Sequence, residues 1–107
     1  MQRVGFLLKV KPEMIEEYKH HHEHVWPEML DALYRNGWHN YSLFLRPDGM
    51  LFGYVECEES FQASLDGMAR EDVNARWQTL MAPYFESTGG THADKMMEEL
   101  EQVFYLA

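Results

Sequence analysis

Apolar side chains fall on every second position at Val4, Phe6, Leu8 and Val10 of "QRVGFLLKV", and from Glu13 the apolar spacing lengthens to that of a helix. This change of period, repeated further on, restricts the chain to a half-buried sheet packed under helices. Residues 2–10 are therefore predicted as a first strand. Pro12 suits the first turn of a helix, where its missing N–H would have no partner. Asn36-Gly37 supplies a left-handed stop, so one helix is predicted from Glu13 to about Arg35.

Residues 38–46, "WHNYSLFLR", and 50–57, "MLFGYVEC", read as two further strands joined into a hairpin by "PDG" at 47–49. A short helix is expected over 59–68 with Ser60 as N-cap, and another from an Asp72 cap to about Pro83. Residues 86–94, "ESTGGTHAD", read as a mobile turn-rich loop, and "QVFYL" at 102–106 as a last strand. The order strand, helix, strand, strand, helices, strand is the split βαβ pattern. It predicts one α+β domain over 1–107, a ferredoxin-like antiparallel sheet with helices on one face. The bare face calls for a second copy, giving a homodimer.

A formal charge of -9, with 18 acidic against 9 basic residues and no concentrated basic patch, speaks against a nucleic-acid partner. The lone cysteine, Cys57, rules out an intramolecular disulfide and a multi-cysteine metal site, and its place in a strand predicts a packed, inert thiol. "MQRVGFLLKVKP" is too short an apolar run for a signal peptide, and no 18-residue apolar stretch occurs. No membrane association is expected, and the cytoplasm is the predicted location.

"EEYKHHHEHVWPEM" carries four histidines in five positions. At about 100° per residue, Ile15, Tyr18, Val25, Trp26, Met29 and Leu33 share one face. His22 falls near its middle and His21 at its margin, while His20 and His24 point to solvent. His20 and His24 have the i,i+4 spacing of a metal clamp, but only flexible glutamates stand near them and no metal site is expected. An ionisable ring on the apolar side needs a partner, so His22 is either a core histidine satisfied by one hydrogen bond or a chemical group. Tyr18, one turn earlier, can share its space. In "HNYSLFL", period two puts His39, Tyr41, Leu43 and Leu45 on one face, which turns either to the first helix or to a subunit interface. Core packing accounts for Trp77 on spacing alone, although an aromatic ring also stacks on a sugar's C–H face.

With "EYxxxHxxxWPE" from Glu17 to Glu28, "GWHNYSLFL", "EDVNARW" and the closing "QVFYLA", most of the chain resembles the L-rhamnose mutarotase family. The resemblance implies a dimeric ferredoxin-like α/β barrel that interconverts the α and β anomers of a deoxy sugar, a monosaccharide substrate, without a cofactor. It implies His22 as proton donor and Tyr18, Tyr41 and Trp77 as sugar-binding positions, with Trp26 and His39 as further candidates. Tyr18, His39 or a water are the candidate bases. Two departures bear on sugar preference: Trp77 is followed by Gln78 where the family often has a second tryptophan, and "ESTGGTHADKMME" replaces the usual Asn-Pro-Asp loop. Small dimeric ferredoxin-like folds also include cofactor-free monooxygenases, and a sugar-binding module without turnover is a third reading.

Overall fold

The computed structural model describes residues 1–86 and 97–107. In this α+β structure β1 (Gln2–Lys9) runs through a four-stranded antiparallel sheet, between β3 (Met50–Cys57) and β4 (Glu98–Leu100). β2 (Trp38–Leu45) lies outside β3, so the spatial order is 2-3-1-4. One face of the sheet is buried through Val4, Phe6, Leu8, Leu51, Val55 and Cys57, while Phe44 and Phe52 stand exposed on the other. Cys57 is thus the packed thiol expected, and burial pushes its pKa up.

The helix predicted from Glu13 to Arg35 is two helices. After a 3-10 turn at Pro12–Met14 comes α1 (Ile15–His22), and α2 (Pro27–Arg35) follows a four-residue break. The break has a local cause: a residue before proline is driven out of helical backbone, and Trp26 is extended at φ -59°, ψ 135°. Pro27 then opens α2, where its missing N–H costs nothing. Gly37, at φ 81°, ends that helix as the sequence predicts.

α3 (Phe61–Ala69) carries the expected cap, the Ala63 N–H donating to Ser60 Oγ at 3.0 Å. In α4 (Asp72–Met81) the expected cap is displaced. Glu71 occupies the N-cap position, and Asp72 is a helical residue that accepts from Arg76 one turn on. Glu71 itself is held by both donors of Arg35 (2.9 and 2.8 Å) and by Asn36 (2.8 Å), tying the end of α2 to the start of α4.

The last strand is Glu98–Leu100, paired with Gly5–Leu7, and not the predicted 102–106. "QVFYL" has strand composition, but the ladder on β1 ends at Gly5, and composition without a pairing partner makes no strand. Val103, Phe104 and Leu106 are exposed, and Tyr105 accepts a hydrogen bond from Arg3 at 2.8 Å with the guanidinium 3.9 Å over its ring. Of the predicted 86–94 loop, residues 87–94 lie outside the described residues.

Gly53 is paired with Phe6, and a Cβ built on it would lie 2.2 Å from Phe6 Cζ. The fully buried Phe6 ring therefore lies on bare backbone, from where it stacks on Phe61 at 6.0 Å and leans on Tyr41 at 6.2 Å. Gly53→Val should destabilise the fold by about 1–3 kcal/mol through overpacking. A thermal melt matching the parent would show that Phe6 can swing aside.

Candidate active site

α1 ends at His22, whose half-buried ring is set by two contacts. Its Nδ1 lies 3.0 Å from the Tyr18 carbonyl oxygen one turn back. A carbonyl only accepts, so Nδ1 carries a proton and donates it, leaving Nε2 as the nitrogen that varies in charge. The ring also packs on that of Tyr18 at 4.2 Å. Burial holds the His22 pKa below its ordinary 6.5, against the opposing pull of the Tyr18 carbonyl. His22 is thus neutral at pH 7, with a lone pair on Nε2.

His22 forms part of the wall of a cavity of about 370 Å³, within the usual size range of small-molecule sites. α2 contributes Met29 and Leu33, and α3 contributes Leu65 and Met68. β2 adds Trp38, Tyr41 and Leu43, and α4 adds Asn74, Trp77 and Gln78. The lining is apolar apart from a few polar groups, the usual composition of such a site.

Trp77 meets His22 edge-on at 5.6 Å and Trp26 edge-on at 5.1 Å, so the three rings form one row. Trp26 stands behind Trp77, with Arg76 5.9 Å over its ring, and is not part of the wall. Tyr18 is buried behind His22, wedged edge-on against Phe85 at 5.6 Å. Burial drives the phenol pKa of both Tyr18 and Tyr41 up, and the nearby Tyr41 raises that of Tyr18 further, so both stay neutral hydroxyls able to donate.

His39 lies outside the cavity wall, its ring 4.9 Å from that of Tyr34 at the end of α2. β2 pairs His39 with Glu56 but Ser42 with Tyr54, so one extra residue is inserted between them. Asn40 takes up the insertion at φ 47°, a left-handed backbone that asparagine tolerates. The bulge keeps Trp38, Tyr41, Leu43 and Leu45 on the helix side and turns His39 outward, where Nε2 meets Glu58 Oε1 at 2.7 Å. The single face expected for His39 and Tyr41 is corrected accordingly. Asn40 also points outward and donates to Glu56 at 3.0 Å.

The other histidines separate as the helical geometry predicts. His21, at the margin, donates from Nε2 to the Tyr84 hydroxyl at 3.1 Å, because that hydroxyl gives its own proton to Glu17 at 3.1 Å. His20 and His24 are exposed, their rings 4.9 Å apart. With Glu23 they bring ligand atoms within 4.8 Å of one another, the one such metal-sized group among the described residues, entirely on the solvent side.

The sequence marks Gln78 only as a departure bearing on sugar preference and Trp38 only as a strand residue; that both line the cavity together with Asn74 is not legible there. The two carboxamides share the buried stripe of α4 with Trp77 and Met81, and Gln78 Nε2 donates to Asn74 Oδ1 at 3.1 Å. The spacing 74, 77, 78, 81 was the available signal, hidden because amide side chains do not count toward an apolar period.

A family model described as L-rhamnose mutarotase matches residues 3–106. The chain is 38% identical over 108 residues to an L-rhamnose mutarotase of Tolumonas auensis, covering 100% of both chains. It is 36% identical over 107 residues to one of Bacillus subtilis, covering 99% of each. In fold it matches the crystal structure of an L-rhamnose mutarotase from Formosa agariphila with a TM-score of 0.83 over 100% of both chains, at 24% identity.

Proposed function

The chain belongs to the L-rhamnose mutarotase family, and we propose that it interconverts the α and β anomers of L-rhamnose by acid/base ring opening at His22. As such it is an isomerase acting on a monosaccharide. The observation that carries the reading is the donation of His22 Nδ1–H to the Tyr18 carbonyl, which leaves Nε2 as the reactive nitrogen of a cavity-lining imidazole.

Ring opening removes the proton of the anomeric hydroxyl, breaks the bond from C1 to the ring oxygen and delivers a proton to that oxygen. Both oxygens are bonded to C1, so one nitrogen can reach them in turn. Neutral Nε2 takes the hydroxyl proton, and the imidazolium so formed donates it to the departing ring oxygen. Rotation about C1–C2 presents the other face of the aldehyde, and the steps run backward to the second anomer. His22 is thus the proton donor to the ring oxygen and also the base that precedes it.

Tyr41 donates a hydrogen bond to a sugar oxygen from its neutral phenol, Trp77 gives an aromatic face for C–H groups, and Tyr18 and Trp26 hold His22 and Trp77 from behind. The apolar wall suits the methyl group of a deoxy sugar. A monooxygenase is disfavoured by the family, and nothing in the geometry favours a binding module over turnover.

The strand order 2-3-1-4 and the helices on one face support a ferredoxin-like reading of a single domain over 1–107. Phe44 and Phe52, 6.3 Å apart on the bare face, and the exposed Val103, Phe104 and Leu106 support a homodimer closed across that face as an α/β barrel. Among the described residues no helix is long and apolar enough to cross a membrane, and we assign the protein to the cytoplasm.

His22→Ala should slow anomer exchange of L-rhamnose, read by NMR saturation transfer, by roughly 10²- to 10⁴-fold. The starting form is the neutral imidazole, so kcat/KM should rise with pH through the His22 pKa and level off above it. Its half-maximum should fall below pH 6.5, the side to which burial moves the group. A rate that instead declines as pH rises through this range would mean that imidazolium starts the reaction and a separate base is needed. In solution the mass by light scattering should be twice 12.7 kDa, and Phe52→Asp should halve it. A monomeric parent would end the dimer proposal.

A further inference from the structure

One polar atom in the cavity region is left without a partner. Gln78 is 8% exposed, and its Oε1 is the single buried side-chain oxygen or nitrogen recorded without a hydrogen bond among the described residues. Its Nε2 is already committed to Asn74 Oδ1 at 3.1 Å, so the amide cannot turn over to hide the oxygen without giving up that bond. A buried carbonyl oxygen with no donor carries an uncompensated loss of hydration. Gln78 lines the cavity, and a buried acceptor left bare beside it signals a missing hydrogen-bond donor.

The surroundings say what kind of donor. Gln78 sits on α4 one residue beyond Trp77, whose ring meets His22 at 5.6 Å, so the carboxamide belongs to the same wall as the reacting imidazole. Met29, Leu33, Leu65 and Met68 line the cavity without offering a donor. Tyr41 lines it from β2.

We propose that the Asn74–Gln78 carboxamide pair reads a ring hydroxyl of the bound aldose, with Gln78 Oε1 accepting the hydrogen bond from it. Asn74 is the positioning residue: its Oδ1 holds Gln78 Nε2 and thereby fixes which way the oxygen faces. The pair makes the cavity selective for sugars that bear a hydroxyl on this side, and distinguishes them from analogues deoxygenated there. A site built around a hydrogen bond rejects a ligand that lacks the matching group, because the buried acceptor is then left bare. This inference rests on the mutarotase reading of the same cavity.

The test compares the parent protein with Gln78→Met, which keeps the side-chain length and removes both amide groups, on L-rhamnose and its 2-, 3- and 4-deoxy analogues. Anomer exchange by NMR gives kcat and KM, and titration of each sugar against protein resonances gives affinity independently of turnover. For L-rhamnose the substitution should raise KM and weaken binding about tenfold, the size of one neutral hydrogen bond, with a smaller effect on kcat. For one of the three deoxy analogues the parent and Gln78→Met should behave alike, which identifies the hydroxyl that is read. Gln78→Glu, which retains an acceptor, should keep that pattern of preference even if it folds less stably. An equal loss on all four sugars would mark Gln78 as structural, and no loss on L-rhamnose would leave its oxygen without a role; either overturns the proposal. Failure of the mutarotase reading looks different: the parent protein would bind L-rhamnose, or fail to, without accelerating exchange at all.

Discussion

Proline at position 27 excludes helical backbone at Trp26, and the placement of the site follows from that exclusion. An uninterrupted helix would carry Val25, Trp26, Met29 and Leu33 straight on from α1. The break lets the chain turn, so α1 presents His22 from its last residue while α2 supplies a separate apolar wall through Met29 and Leu33. Trp26, in the break itself, buttresses Trp77, and Trp77 in turn meets the edge of His22. The histidine is held at both ends of its polarity: by the Tyr18 carbonyl at Nδ1, and by aromatic packing that strips water from the ring and lowers its proton affinity.

Much of this could be read from the residues. The periods of β1 and α1, the Ser60 cap and the Asn36-Gly37 stop are local signals, each set by neighbours within a turn, and the structure contains all of them. The helical wheel separated His22 from His20 and His24 correctly because His20 and His22 lie in α1 and His24 only two residues past its end. What the residues concealed depends on partners far along the chain. "QVFYL" is rich in strand formers, yet whether it pairs is decided by where the β1 ladder stops. Asp72 loses the cap position to Glu71 because Arg35 and Asn36, more than thirty residues earlier, fasten Glu71 in place.

The cavity shows the same division. Tyr18, His22, Tyr41 and Trp77 were accessible to reading because aromatic and ionisable side chains stand out against an apolar stripe. Asn74 was not, and Gln78 stood out only as a departure from a second tryptophan, since a carboxamide in a helix reads as solvated surface until a tertiary neighbour covers it. Their burial, at 4% and 8% exposure, is a property of how α2 and α3 pack against α4.

The bulge at Asn40 changes what β2 can be built from. In a regular strand, residues three apart point to opposite sides. Here Trp38 and Tyr41 point the same way and their rings come within 5.0 Å, a contact that one inserted residue makes possible. The strand is therefore tuned by its length as much as by its composition. Evolution could exchange side chains along it one at a time, but a single-residue deletion would invert everything before Tyr41, trading the buried tryptophan for the outward histidine in one step.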